Sequence, residues 1–304
     1  MASHSSENPS AYVRQFSFFS STPIRSLPGK CVAAAFFAIV TVGSQRALAQ
    51  AVATSPAAAT PEQVLLCNVN AGSPLNNGAM AVPFGVGEKM VYDVKFSSIK
   101  VGTGTMEVRD VVDIRGKPSW HTVLGIHGKA LWTFPVNIVL ESWFDVASLA
   151  SRRFHQDQKY PGYKKISTTE IFPERGMYKE DDKEEQVTVS SPLDDGSFLY
   201  FVRTLPLEVG TTYSLPCYFK PDKNPVKVTV SRRETITVPA GTFKTVVLQP
   251  RIKTNGLFAE KGKAEVWVTD DSTRMMVQLK SDLSIGSINL YLSKYKLGPA
   301  PAKP

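Results

Sequence analysis

Beyond Phe84, apolar side chains recur at every second position. Met90, Tyr92, Val94 and Phe96 alternate with Val91, Asp93 and Lys95. The pattern returns in Val226, Val228 and Val230, in Ile236 and Val238, in Ala264, Val266 and Val268, and in Ile288, Leu290 and Leu292. A period of two sends neighbouring side chains to opposite faces of an extended chain, so each run predicts a strand with one apolar and one wet face. The run TMEVRDVVDI follows Gly102–Thr103–Gly104 and predicts a second strand, joined to the first through a glycine-containing bend. The segment VPAGTF predicts a hairpin turn between RETIT and KTVVLQP: Pro239 presets φ, and Gly241 can take a positive φ. Pro118, Pro161, Pro173, Pro216, Pro221 and Pro225 fall between the runs, where a missing N–H costs no ladder bond.

Helical periodicity is scarce. The stretch DDGSFLYFVRTL, capped by Asp194 or Asp195, predicts a short helix carrying Phe198, Leu199, Val202 and Leu205, and a second helical turn is expected around Val136 to Ser142. The helix would plug one end of the sheet, with a moving lid as the alternative. The predicted fold is mainly β: a single domain over residues 83–297, built as a curved antiparallel sheet or incomplete β-barrel with one or two short helices, and followed by a tail at 298–304. No glycine-rich phosphate fingerprint follows a strand and no fixed-period repeat is present, which argues against a nucleotide-binding or solenoid fold.

The first fifty residues differ in kind. Cys31 to Val42, CVAAAFFAIVTV, has the length of a signal-peptide core and is shorter than the roughly 20 apolar residues needed to cross a bilayer. Ala47 and Ala49 supply the small side chains of a cleavage site, so residues 1–49 are expected to be a signal peptide cut between Ala49 and Gln50, with a retained signal anchor as the alternative. Cys31 opens the apolar run rather than following the cut, so no lipid anchor is expected. Residues 50–82, rich in Ala, Pro, Ser, Asn and Gly, read as a disordered linker tethered near Cys67. Export from the cytoplasm follows.

Composition narrows the chemistry. Among 304 residues, 42% are hydrophobic and 20% charged, which excludes collagen-like, coiled-coil and wholly disordered chains. The leader carries Arg14, Arg25, Lys30 and Arg46 against Glu7, so its removal lowers the formal charge from +8 to +5. The remaining cations are mixed with acids, as in KEDDKEE, and RRFHQDQKYPGYKK suits a solvated strand pair, so nucleic acid is not an expected partner. Without the leader only Cys67 and Cys217 remain, either as a disulfide in an oxidising compartment or as two separate thiols. Three cysteines and four histidines without clustering give no material for a zinc, haem or thioredoxin-type site, and no cofactor or metal is expected. His121, His127 and His155 are candidate bases, yet GxSxG, HExxH and SxxK are all absent. His121 and His127 share a strand face, where Glu141 or Asp145 could complete a metal site, although ordinary strand histidines fit the pattern better. Trp120, Trp132, Trp143 and Trp267 would fill a core or line an apolar cavity, and Trp132, Trp143 and Asp145 are the candidate ligand-contacting residues.

Several separated segments add a family resemblance. FGVGEKMVYDVKFSSIKVGTGTMEV, ESWFD, SFLYFVRTLPLEVG, ETITVPAGTFKTVVLQP and GKAEVWVTDDSTRMMVQLKSDLSIGSINLYL resemble the exported bacterial proteins grouped as domain of unknown function 3108, over roughly residues 84–292. The resemblance implies a mainly antiparallel β domain in the periplasm or at the outer membrane of a Gram-negative bacterium. It carries over no catalytic residue. The functional expectation is a non-enzymatic protein binding a hydrophobic ligand, such as a lipid, or an envelope protein. The rivals are an envelope-polymer hydrolase acting through Asp145, His121 and Glu141, and a structural envelope component.

Overall fold

The computed structural model describes residues 62–64, 67, 82–130, 134–160, 163–253, 263–282 and 287–299. The expected signal peptide, its cut at Ala49–Gln50 and Trp132 lie outside these residues. The strands run β1 (Glu62–Val64), β2 (Lys89–Phe96), β3 (Ile99–Asp113), β4 (Pro118–Ala130), β5 (Phe134–Asp145), β6 (Ser151–Tyr160), β7 (Tyr163–Phe172), β8 (Met177–Glu180) and β9 (Gln186–Val187). After the helix α1 (Asp195–Phe201) come β10 (Thr212–Leu215), β11 (Val226–Val238), β12 (Gly241–Arg251), β13 (Glu265–Thr269), β14 (Met276–Asp282) and β15 (Ser287–Lys296). Among the described residues these fifteen strands form one sheet, ordered β1-β10-β11-β12-β13-β14-β15-β2-β3-β4-β5-β6-β7-β8-β9. Every pairing is antiparallel except β1 with β10.

The architecture is the expected single curved, mainly antiparallel sheet with one short α-helix. Its alternating strands turn one face inward: Met90, Tyr92 and Val94 of β2, Val226, Val228 and Val230 of β11, and Leu290 and Leu292 of β15 join one buried core. The two ends of the sheet approach each other without a ladder. Leu193 donates its N–H to the Cys217 carbonyl at 2.6 Å, Phe219 returns one to Leu193 at 2.9 Å, and the Thr188 hydroxyl donates to the Phe219 carbonyl at 2.6 Å. Cys67 and Cys217 form a disulfide, with Cα atoms 5.9 Å apart, inside the segment read as a linker. Beside it, β1 adds three residues to β10.

α1 closes one end of the rolled sheet. The Asp194 carboxylate accepts from the N–H groups of Gly196 and Ser197, and the Ser197 hydroxyl accepts the Asp194 N–H, which makes a capping box. Every residue from Gly196 to Phe201 is buried, so the helix is wrapped by sheet rather than laid on it. A Cβ on Gly196 would collide with Ser142 Oγ, so glycine is what lets α1 approach β5.

Two local expectations are corrected. Val136 to Ser142 is not a helical turn but part of β5, hydrogen-bonded to both β4 and β6; a ladder on each side outweighs the weak helical pattern of a seven-residue stretch. The bend between the first two strands falls at Ser97–Ser98, with Ser97 at φ 53°, and Gly102 and Gly104 lie inside β3. Gly102 faces Gly128 of β4, and a Cβ on either would strike the opposing backbone, so these glycines serve close strand approach rather than a turn.

Candidate functional site

On the outer face, His121 of β4 has Nε2 2.8 Å from Glu141 Oε2 and Nδ1 3.1 Å from Asp110 Oδ1. Its ring stacks on Trp143, with centroids 4.6 Å apart, and the Arg153 guanidinium lies 5.8 Å from the Trp143 ring centre. Odd positions of β4 and β5 share this face, which brings His121 and Glu141 together while Phe144 and Ser142 point to α1. Asp145 does not join them. Its Oδ1 accepts the N–H groups of Ala147 and Ser148, both at 2.9 Å, and its Oδ2 meets Arg152 Nε at 3.5 Å, so it organises the β5–β6 turn. His127 pairs with Asn137 and His155 with Thr168. Among the described residues no group of three or more His, Cys, Asp or Glu could hold a metal ion.

The inward face changes character along the barrel. Near α1 it is filled: Phe84 makes edge contacts with Trp120, Phe144 and Tyr200 at centroid distances of 5.4, 6.3 and 5.0 Å. Toward the end carrying the β4–β5 and β6–β7 connections the register places Leu124, Leu140, Gln156 and Ser167 side by side across β4 to β7. The adjacent row is Ile126, Ile138, Gln158 and Lys165. Leu124, Val136, Ile138 and Leu140 are apolar, inward and only half-buried. Gln158 donates to the Gln156 amide oxygen at 2.8 Å, while Ser167 Oγ is buried with no hydrogen-bond partner.

Beyond Ser167, Glu180 of β8 meets three ammonium groups: Lys183 at 2.9 Å, Lys220 at 3.3 Å and Lys165 at 3.6 Å. Burial raises its carboxyl pKa, but the Lys183 hydrogen bond and the charges of Lys165, Lys220 and Lys183 outweigh it and hold the group at about 2. Three cations therefore share one carboxylate.

A second polar centre fastens α1. Ser142 donates to Asp194 Oδ1 at 2.5 Å, the Asp194 N–H donates to Ser151 Oγ at 3.0 Å, and Ser151 and Ser197 hydroxyls lie 2.8 Å apart. Asp194 Oδ2 is buried without a partner. Burial raises the Asp194 pKa to about 6, against the lowering effect of its bonds to Ser142, Ser197 and Ser151. Folding therefore favours the protonated acid: its stabilising contribution is complete below the ordinary value of 3.8 and is lost as pH rises through about 6. A displacement of that size is worth about 3 kcal/mol. Urea unfolding of the wild type and Asp194→Asn between pH 4 and 7 is expected to show a steeper decline in the wild type, since Asn keeps an N-cap oxygen without the charge, while Asp195, also raised by burial, titrates in both. Equal slopes would contradict the assignment.

A shallow cleft of about 390 Å³ lies at the plugged end, lined in part by Leu207, Glu208, Arg233, Asp270, Asp271 and Arg274. Its guanidinium groups are committed to the fold: Arg233 binds Asp270 and the Leu207 carbonyl, and Arg274 binds the carbonyls of Arg203 and Leu205. The inward surface of β4–β7 is thus the candidate site. Sequence reasoning missed it because RRFHQDQKYPGYKK, over β6 and the start of β7, read as a solvated strand pair, whereas the roll of the sheet turns Gln156, Gln158 and Lys165 inward.

No curated protein matches the chain. Among solved structures it is similar to a beta-barrel-like protein of domain of unknown function DUF1849 from Brucella abortus, at 11% identity over 72% of this chain and 100% of that one, with a TM-score of 0.45. A candidate lipoprotein from Parabacteroides distasonis matches at 10% identity over 71% and 99% of the two chains, with a TM-score of 0.30. A candidate exported protein with a YmcC-like fold from Bacteroides fragilis matches at 12% identity over 72% and 99%, with a TM-score of 0.25. The model of the family described as protein of unknown function (DUF3108) matches residues 91–293, and the chain belongs to that family.

Proposed function

We propose that this chain is an exported, non-catalytic binding protein that takes a hydrophobic small molecule against the inward face of β4 and β5. One observation carries the reading: Leu124, Val136, Ile138 and Leu140 face the inside of the roll, yet remain half-buried where α1 does not reach. Half-buried aliphatic side chains on a concave wall offer an apolar ligand about 25 cal/mol for each Å² removed from water. The signal-peptide reading of residues 1–49 and the Cys67–Cys217 disulfide support an exported, oxidising setting. The hydrolase reading loses support because Asp145 holds a turn apart from His121 and Glu141.

Fluorescence titration with cis-parinaric acid tests the proposal. Ile138→Asp is expected to weaken binding at least about tenfold, a difference of about 1.4 kcal/mol, by placing a charge in the apolar wall. Trp143→Gln is expected to leave binding unchanged, because Trp143 lies on the opposite face against His121. Absence of binding to the wild type, or equal losses in both variants with unchanged circular dichroism, would contradict the reading.

A further inference from the structure

The inward wall is not uniformly apolar, and its asymmetry bears on the ligand's chemistry. Crossing from β4 and β5 to β6 and β7, Leu124 and Leu140 give way to Gln156 and Ser167, and Ile126 and Ile138 give way to Gln158 and Lys165. Ser167 is 3% exposed, and its hydroxyl has no partner. A buried hydroxyl without a partner loses its bonds to water and gains none in return, so it is an unfilled donor on the wall of the site.

Cations stand on the same margin. Lys165, Lys183 and Lys220 all converge on Glu180, which is 9% exposed. Asp195, at the start of α1, also interacts with Lys165 and Lys220, and it is engaged by the Tyr218 hydroxyl at 3.0 Å. Lys183 also faces Asp181 and Lys220 also faces Asp222, whereas Lys165 is the cation placed in the row beside Ser167. Its ammonium is only loosely paired, at 3.6 Å from Glu180, so it can serve a second anion without abandoning the first.

Resting on the binding reading above, we propose that the ligand is an amphiphile whose aliphatic chain lies along Leu124, Ile138 and Leu140 and whose anionic head, a carboxylate or a phosphate, is held by Lys165 and the Ser167 hydroxyl. The β4–β5 wall supplies chain affinity, and the β6–β7 margin fixes orientation. A neutral chain of equal length shares the first set of contacts and lacks the charge-assisted one.

The test compares three probes on the mature chain by calorimetric titration: oleate, oleoyl lysophosphatidate and oleyl alcohol. The wild type is expected to bind one or both anions at least tenfold more tightly than the alcohol, and the preferred anion identifies the head. Lys165→Met is expected to remove most of that preference while leaving affinity for the alcohol within about twofold. Ser167→Ala is expected to weaken the preferred anion severalfold. Lys95→Met, at a lysine packed over Tyr291 on the outer face, serves as the charge control and is expected to change nothing. Equal binding of all three probes by the wild type, or an unchanged anion preference in Lys165→Met, would overturn the head-group assignment while leaving the apolar site standing. Failure of every probe to bind would overturn the apolar site as well.

Discussion

Glu88→Leu is expected to cost about 3–5 kcal/mol of folding stability, the range for removing one partner of a buried ion pair. Arg203, in the turn after α1, is 1% exposed, as is Glu88 just before β2. Its guanidinium binds both Glu88 oxygens, at 2.7 and 2.9 Å, and donates to the carbonyls of Pro83 and Thr273, both at 2.9 Å. It also lies 5.4 Å from the Phe84 ring centre and 5.7 Å from that of Tyr200. One side chain therefore joins α1, the segment entering β2 and the β13–β14 turn, which together close the plugged end. Removing the carboxylate strands a cation in this interior, where neither water nor another anion repays its desolvation. The double variant Glu88→Leu with Arg203→Met is expected to be less damaged than Glu88→Leu alone, since an apolar pair of similar volume removes the stranded charge. Urea unfolding at neutral pH measures both. A loss below about 1 kcal/mol in the single variant would show that the pair does not hold the plug.

The second large effect belongs to the disulfide. Cys67 and Cys217 are 150 residues apart in sequence, so the bond restricts a long loop in the unfolded chain. Replacing both by Ser is expected to lower stability by about 2–5 kcal/mol. Locally, the bond anchors β1, which otherwise has three paired residues on β10 and an exposed Lys227–Glu62 ion pair at 3.0 Å. Such an ion pair contributes about 0–1 kcal/mol. Amide hydrogen exchange in β10 is therefore expected to accelerate in the double Ser variant more than exchange in β4. An unchanged urea midpoint and unchanged β10 exchange would contradict this account.

How much of this was legible in the sequence depended on whether a strand has a dry face and a wet one. β2, β11 and β15 do, and Met90–Phe96, Val226–Val230 and Ile288–Leu292 announce both strand and inward face through their period of two. α1 was legible for another reason: Asp194 is a strong N-cap ahead of a dense apolar cluster. β5 was obscured because Val136 to Leu140 reads VNIVL, with apolar residues on both faces, so periodicity gives no clean signal. Gly102 and Gly104 resemble turn residues, and only the opposing Gly128 reveals close strand packing.

The site was harder to see because inward orientation is a property of the roll, not of any one strand. Gln156, Lys165 and Ser167 are ordinary surface residue types, and alternation alone assigns them to solvent. Leu124 and Leu140 are ordinary core types, and nothing local distinguishes a filled interior from a half-buried wall. Trp143 was conspicuous as an aromatic in a sheet protein, but its register with His121 turns it outward. Asp145 stood out as a carboxylate that could join the strand histidines, but its bonds to Ala147 and Ser148 identify a turn residue.

The claim that the inward wall of β4 and β5 receives an aliphatic chain is tested most directly by intermolecular NOEs between labelled methyl groups and a bound oleyl chain. The account predicts cross-peaks to Leu124, Val136, Ile138 and Leu140 and none to the outward Val139. Cross-peaks to outer-face methyls alone, or none to the wall under conditions where the lipid is bound, would contradict it.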